Sequence, residues 1–262
     1  MSKGLWSLML GGILLSAQTL AWTQGDTGGE VDLGGTIEPT GPVNPWEVQL
    51  GTGVTGIDMV LPEGGVVTSH ILRSNIPVLG IRTTTGIDGS FGGESAGGLA
   101  PQVHYGGLVS GRPFDKGRVP VELDVKGQDN KVFGWLRLNL LVGAEVSQLQ
   151  GEDGSRYSVY AGQSGQAFFG GIARKPDEAM DNALQTIGDA FPFYVSRYNL
   201  QGIKEKGVKQ PVEFRNSKMQ YSGFYGAGLV FGDEVIMRLD EGYQLNTAKN
   251  WKAKLSVEIT YK

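Results

Sequence analysis

Three residue patterns in the sequence could support enzymatic chemistry: a glycine-rich loop, two histidines and several adjacent carboxylates. The loop, residues 51–56, reads Gly-Thr-Gly-Val-Thr-Gly and has the spacing of a dinucleotide-binding turn. Such a site also needs a helix that begins at the last glycine and an acidic residue about 20 positions later, which bind the pyrophosphate and the ribose. Residues 57–62 are instead strand-like and end in proline, and no acid follows at that distance. The loop is therefore predicted to be a turn, and no cofactor is expected.

The histidines and the carboxylates give no stronger indication of an active site. His70 and His104 lie in strand-like segments, and no Gly-X-Ser-X-Gly nucleophile elbow accompanies them. Two histidines without any cysteine also make a poor zinc site. The acidic pairs at 152–153 and 177–178 lie in a turn and at a helix start, where solvated carboxylates are common. We therefore predict neither a catalytic residue nor a metal site.

The first residues of the chain predict an export signal. The pattern of a secretory signal peptide is given by Lys3, a short apolar run over residues 5–15 and small residues up to Ala21, and we expect cleavage between Ala21 and Trp22. The apolar run is too short to span a membrane. The chain has 23 Lys and Arg against 27 Asp and Glu and no basic block, so nucleic acid is not an expected partner. Because it contains no cysteine, its fold is held by the core alone.

Most of the remaining sequence alternates between apolar and polar residues, which predicts strands. A strand is expected at 46–50, a hairpin over 119–142 and another strand at 235–239. The final segment is predicted as one long half-buried strand over 251–261. One segment, 176–190, has helical spacing and is predicted as a short inserted helix that Pro192 ends. Residues 86–98 are glycine-rich and are predicted to form a mobile surface loop.

A lone alternating strand follows the signal peptide. Val31, Leu33 and Ile37 share one face, with Gly35 between them, and three prolines interrupt the pattern by residue 45. A half-apolar strand on a stiff linker needs a sheet to complete. The pattern alone leaves open whether that sheet belongs to the same domain or to a neighbouring molecule.

The two ends of the mature chain carry a family resemblance. They resemble the Fae/Fan-type fimbrial major and minor subunit family. The residues that carry the resemblance are Trp22-Thr23-Gln24-Gly25-Asp26, 29–37 and 46–53 at the start and 251–262 at the end. These are kappa-class chaperone–usher pilins of enterotoxin-producing enteric bacteria. The absence of cysteine fits that branch.

The resemblance implies an all-β fold: an incomplete immunoglobulin-like sandwich of the pilin type, with the short helix inserted and an N-terminal donor-strand extension. It divides the chain into the signal peptide (1–21), the donor-strand extension and linker (22–45) and the pilin domain (46–262). A periplasmic chaperone lends the missing strand first, and the extension of the next subunit replaces it at the outer-membrane usher. The donor residues that the resemblance implies are Val31, Leu33, Gly35 and Ile37. The implied acceptor and chaperone-binding residues are Trp251, Ala253, Leu255, Val257, Ile259, Tyr261 and the carboxylate of Lys262.

The implied function is that of a non-enzymatic fimbrial subunit, exported through the periplasm to the cell surface and serving adhesion to host cells. The chain is slightly short for a major subunit, which favours a minor subunit in fimbria biogenesis. One alternative is a major subunit that acts as a lectin adhesin, in which Trp22, Trp46 or Trp135 could stack on a host glycan. The other is a secreted β-sandwich hydrolase whose N-terminal strand pairs within its own domain. Lys249 is a departure, because many pilins have a glycine about 14 residues from the end.

Overall fold

Antiparallel strands dominate the part of the chain that the structure, a computed structural model, describes: residues 44–84, 89–94 and 97–262. The strands are β1 (Trp46–Leu50), β2 (Val67–Ile71), β3 (Ile76–Thr83), β4 (Phe91–Gly92), β5 (Pro101–Tyr105), β6 (Arg118–Lys126), β7 (Val132–Gln150), β8 (Asp153–Ser158), β9 (Gln220–Leu229), β10 (Glu234–Leu239) and β11 (Val257–Tyr261). Two short helices follow β8: α1 (Ala183–Ala190) and α2 (Pro192–Val195). The predicted all-β class with an inserted helical segment is confirmed. No helix in the described ranges is long and apolar enough to cross a membrane.

The long strand β7 organises the main sheet, in which the strand order is β1-β3-β9-β7-β10-β2. Its first half pairs with β6 and β10, and its second half pairs with β8 and β9. The β6–β7 pairing, with Val121 opposite Leu138, confirms the predicted hairpin, although β7 extends eight residues beyond the predicted end at 142. The strands predicted at 46–50 and 235–239 are confirmed as β1 and β10.

The second layer is the pair β5–β11, which packs on the inner face of the main sheet. The prediction of one continuous strand over 251–261 is wrong in its bounds, because regular pairing begins only at Val257. Before Val257 the segment has one isolated bridge, in which Lys252 and Lys126 exchange two backbone hydrogen bonds of 2.9 Å. The predicted alternation nevertheless continues through residues 251–256, where odd positions are half-buried and even positions are exposed. The pattern is that of a strand, but a neighbour to complete the ladder is not present along this stretch of the described chain.

The core between the layers is rich in aromatic side chains. Trp46 packs against Phe91, Phe168 and Phe214 with ring centroids 5.3–5.7 Å apart, and its indole donates a hydrogen bond to the carbonyl of Leu99. Trp46 is only 5% exposed, so the suggestion that it stacks on a sugar is wrong. Phe91 is also buried and pairs through β4 with β9, so residues 91–92 are not part of a surface loop as predicted.

The helical segment covers the opposite face of the main sheet. It was predicted over residues 176–190, but the helix begins only at Ala183, and Pro192 opens α2 rather than ending the segment. The reason is a side-chain interaction: the Lys209 ammonium donates hydrogen bonds to the carbonyls of Pro176 and Ala179, which a helix would have used. The same ammonium lies 2.6 Å from the Asp181 carboxylate, and this hydrogen bond lowers the pKa of Asp181.

A buried ion cluster joins β7 and β8 to the segment that follows α2. The Glu145 carboxylate, 1% exposed, accepts a hydrogen bond from Arg156 at 2.8 Å and lies 3.6 Å from the Lys206 ammonium. Tyr198 donates to the same carboxylate at 3.2 Å, and burial raises the pKa of the Tyr198 phenol. The two cations offset the cost of burying the carboxylate, so the cluster holds this segment against the sheet.

Candidate functional site

The C-terminal strand has one paired edge and one open edge within the described residues. β11 pairs only with β5, with Ile259 opposite Val103. Lys262 and Ala100 exchange hydrogen bonds of 2.9 and 3.1 Å, and Ser256 accepts one from Gly106 at 3.0 Å. In an antiparallel ladder such bonds recur at every second residue, so the even positions face β5. The backbone groups of Val257, Ile259 and Tyr261 therefore point to the open edge.

Side chains at those same odd positions face the protein interior without being fully covered. All six predicted acceptor residues are half-buried and pack against the core: Trp251, Ala253, Leu255, Val257, Ile259 and Tyr261. Their even-numbered neighbours are exposed. The structure thus brings the predicted acceptor residues together along one strand-like ridge, although how they function remains a prediction.

A large apolar cavity of about 1220 Å³ runs beside this ridge. Its floor is formed by inward-facing side chains of the main sheet, namely Leu123, Phe133, Leu136, Leu138, Leu229, Met237 and Leu239. These residues belong to β6, β7, β9 and β10. We call the space between this floor and residues 248–257 the groove.

The opposite wall of the groove is the segment 50–61, which follows β1. Residues 51–62 contain no strand or helix, so the strand-like pattern at 57–62 does not form a paired strand. Ile57, Met59 and Leu61 nevertheless alternate inward and pack on the core, while Asp58 and Val60 are exposed. Thr68 donates a hydrogen bond to the Val60 carbonyl at 2.7 Å, and a ring nitrogen of His70 lies 2.9 Å from the Asp58 carbonyl.

Leu50 lines the groove and remains 58% exposed. Val48, on the same face of β1 as Leu50 and the buried Trp46, is 41% exposed. Val60, whose neighbours Met59 and Leu61 line the groove, is 88% exposed. Leu50 therefore extends the apolar lining of the groove to the surface.

Lys249 lines the groove. Its ammonium lies 4.6 Å from the centre of the Phe133 ring and 5.2 Å from that of Tyr243, and it donates a 2.7 Å hydrogen bond to the Tyr243 hydroxyl. This hydrogen bond raises the pKa of Lys249. The lysine at the position where many pilins have glycine therefore caps two aromatic rings.

The residues considered for catalysis are not assembled into a site. His70 contacts a backbone carbonyl, and His104 lies on β5 opposite Glu258. No cluster of His, Cys, Asp or Glu suited to a metal occurs in the ranges 44–84, 89–94 and 97–262.

The predicted donor residues Val31, Leu33, Gly35 and Ile37 lie outside the described residues, as do Ala21 and Trp22 at the predicted cleavage site. Sequence reasoning missed the role of Ile57, Met59 and Leu61 as the second wall. Their alternation indicates an inward face, but the pattern does not indicate which ridge that face meets.

Comparison with known proteins supports the family resemblance, and the similarity extends along the whole chain. A family model described as "Fimbrial, major and minor subunit" matches residues 1–262. The chain is 25% identical to K88 fimbrial protein AC of Escherichia coli over 289 aligned positions, and 26% identical to K88 fimbrial proteins AB and AD. Each alignment covers all of this chain and all of the relative. The chain therefore belongs to the fimbrial major and minor subunit family, whose members are structural components of cell-surface fimbriae and not enzymes.

Proposed function

We propose that this subunit joins the fimbria by donor-strand exchange, in which residues 31–37 of one subunit enter the groove of another. One observation carries the proposal: a half-buried apolar ridge with an open backbone edge borders a cavity of about 1220 Å³. An added strand would bond to the open edge of β11 and place alternate side chains in the cavity, as in other cases of strand addition.

The predicted donor strand has suitable dimensions. Val31, Leu33, Gly35 and Ile37 provide four inward positions, and the ridge beside the cavity also has four, from Trp251 to Val257. The exposed apolar residues Val48 and Leu50 would be covered in the completed sandwich, which gains free energy in proportion to the apolar area removed from water.

In this proposal the groove is filled twice. After cleavage between Ala21 and Trp22, a periplasmic chaperone first occupies it and binds the carboxylate of Lys262. The donor strand of the next subunit then replaces the chaperone strand at the outer-membrane usher. A strand edge and an apolar groove left open would otherwise promote aggregation, which is the physical reason for a chaperone.

We further propose a minor-subunit role in the biogenesis of a fimbria that serves adhesion to host cells. The alignment with K88 fimbrial protein AC spans 289 positions, whereas this chain has 262 residues, so the relative carries segments that this chain lacks. A chain that lacks these segments has less surface for a receptor site, which favours an assembly role over a lectin role.

Periplasmic expression with and without the cognate chaperone tests the assembly mechanism. The full chain and a variant lacking residues 22–38 are each expressed in both conditions. We expect the full chain to give chaperone complexes and denaturant-resistant oligomers, and the shortened chain to bind chaperone without forming oligomers. Equal yields of soluble monomer in all four conditions would refute donor-strand exchange.

Deletion of the gene in a fimbriated strain tests the minor-subunit role. Loss of a minor subunit should change the number or length of fimbriae while leaving their shaft protein in place. If the shaft itself disappears, the chain is the major subunit.

A further inference from the structure

The strand β2 lies at one end of the main sheet and has an open backbone edge. Among the described residues, β2 pairs only with β10. Leu72, just after β2, donates a backbone hydrogen bond of 2.9 Å to Asp233. Because such bonds recur at every second residue of an antiparallel strand, the even positions of β2 face β10. The odd positions therefore point their backbone groups to the open edge, and these are Val67, Ser69 and Ile71.

This edge lacks the features that usually prevent a strand edge from pairing. Natural edge strands carry charged residues, proline or a bulge. Residues 66–72 contain no Lys, Arg, Asp, Glu or Pro, and the pairing of β2 with β10 has no irregularity. On β6, by contrast, the edge away from β7 is covered, because Val109 donates a 3.2 Å hydrogen bond to the Pro120 carbonyl. The edge of β2 is therefore suited to strand addition.

The exposed side chains of β2 are apolar at both ends. Thr68 lines the groove, so the odd-numbered side chains lie on the outer face of the sheet. Val67 is 46% exposed and Ile71 is 54% exposed. On β10, Arg238 is opposite Val67 and Glu234 is opposite Ile71. Each end of β2 thus presents an apolar residue to water, with a positive charge beside one end and a negative charge beside the other.

We propose that the open edge of β2 pairs with the same edge of a second copy of this chain, in an antiparallel ladder centred on Ser69. The exposed Ser69 lies opposite Ser69 of the other copy, and Val67 lies opposite Ile71. The contact has two-fold symmetry, so a single patch serves both partners. Because directly opposed residues share one face, the two main sheets continue as one across the contact.

Two copies are complementary in this arrangement. Since the strands run in opposite directions, the end of β2 beside Arg238 meets the end beside Glu234 of the other copy. Each apolar pair of Val67 with Ile71 therefore has a positive charge on one side and a negative charge on the other. No charged residue lies within the paired strands themselves, so no like charges are directly opposed. These features select a second copy of the chain as the partner.

The neighbouring registers of two copies are less favourable. A shift of two residues in one direction places Arg73 opposite Val67, and a shift of two in the other direction places Gly65 opposite Ile71. Either shift separates the apolar residues of the two copies. The register centred on Ser69 pairs Val67 with Ile71 twice, and it uses the whole length of β2.

The small size of the contact determines where it forms. Two five-residue strands pair over only about 17 Å, whereas a stable interface buries at least about 1,200 Å². We therefore expect free subunits to associate weakly and fimbriae, which hold many copies, to associate side by side. The contact uses neither the groove nor the ridge, so it goes beyond donor-strand exchange and does not depend on it.

Disulfide cross-linking tests the contact, since the native chain contains no cysteine. Opposed residues that exchange hydrogen bonds have Cα atoms about 5.5 Å apart, which suits a disulfide. In cells that export the full chain, followed by mild oxidation, we expect Ser69→Cys to give a covalent dimer on a boiled, non-reducing gel. Val67→Cys is the matched control, because its two copies lie four residues apart along the ladder, about 14 Å, and should give none.

Absence of the Ser69→Cys dimer, or equal amounts of dimer from both variants, would overturn the proposal. Adding Ile71→Lys to Ser69→Cys places a charge opposite Val67 and beside Arg238 of the other copy, and should lower the dimer yield severalfold. Adding Val208→Lys, which replaces another exposed apolar residue in the segment beside β8, should leave the yield unchanged. The same yield with and without Ile71→Lys would show that β2 does not form the contact.

Discussion

Gly226 of β9 lies directly beneath Ile187 of α1, so close that a methyl group on the glycine would overlap the isoleucine side chain. Gly226 is paired with Gly80 on one side and with Gly143 on the other, which forms a row of three glycines across β3, β9 and β7. A Cβ atom on Gly143 would lie 2.7 Å from the Met180 sulfur. The row is therefore the surface on which the helical segment packs.

Substitution in this row should release the helices from the sheet. We expect Gly226→Val to lower the free energy of unfolding by about 1–3 kcal/mol, because the added side chain overpacks a filled site. Urea denaturation followed by circular dichroism measures the change. Gly53→Val is the matched control, since no atom lies within 4 Å of a Cβ built there. An equal effect of both substitutions would mean that the glycine row has no special packing role.

Complementary variants should separate donation of a strand from its acceptance. Leu33→Asp places a charge on the inward face of the donor strand, and Leu255→Asp places one on the acceptor ridge. Because burying an unpaired carboxylate is costly, each variant alone should fail to polymerise. When the two are mixed, Leu255→Asp subunits can still donate to Leu33→Asp subunits, so size-exclusion chromatography should show a dimer and no longer species.

Matched controls place the same charge on the outer face of each strand. Thr36→Asp in the donor strand and Ser256→Asp beside the ridge should leave polymers in place. Long polymers from either inward variant alone would show that the assigned faces are wrong.

Removal of the buried carboxylate should destabilise the domain strongly. Glu145→Gln leaves Arg156 and Lys206 without their anionic partner in a buried site, which typically costs about 3–5 kcal/mol. The exposed pair of Arg137 with Glu122 offers a comparison. Glu122→Gln should change the unfolding free energy by less than about 1 kcal/mol. Similar losses in the two variants would indicate that burial does not govern the cluster.

Acid should weaken the attachment of the segment before α1. The hydrogen bond from Lys209 lowers the pKa of Asp181 below its ordinary value of 3.8. A carboxyl whose pKa is lowered by folding stabilises the folded state above its ordinary pKa, and this contribution is lost as the pH falls through the lowered value. The unfolding midpoint of Asp181→Asn should therefore lie below that of the native chain at pH 7, and the two should converge below pH 3.8.

Asp177→Asn serves as the control for the loss of a carboxylate from this segment, because Asp177 is exposed and has no ion pair in the described part of the chain. At pH 7 its unfolding midpoint should match that of the native chain. If the unfolding midpoints of Asp181→Asn and the native chain differ by the same amount at every acid pH, the charge of the Asp181 carboxylate does not contribute to stability.

Local pattern was sufficient for three strand regions of this protein and for the faces of their residues, but it did not predict β3, β8 or β9. Alternation at 46–50, 119–142 and 235–239 predicted three strand regions correctly, because a half-buried strand must alternate whatever its partners are. The same rule identified the inward residues of the C-terminal segment, from Trp251 to Tyr261. The resemblance at the two ends predicted the family.

Only the tertiary structure decided where that alternation becomes a paired strand and where it borders a groove. Residues 251–256 have the same pattern as β11, but a ladder requires a neighbouring backbone, and β5 ends beside Val257. The start of α1 likewise depends on a distant residue. Lys209 donates hydrogen bonds to the carbonyls of Pro176 and Ala179, which lie more than 25 residues before it in the chain. The second wall of the groove and the glycine row depend on chain segments that are distant in sequence. Hydrogen-bond partners and close packing are non-local, so the sequence determined which residues face inward and the tertiary structure determined what they face.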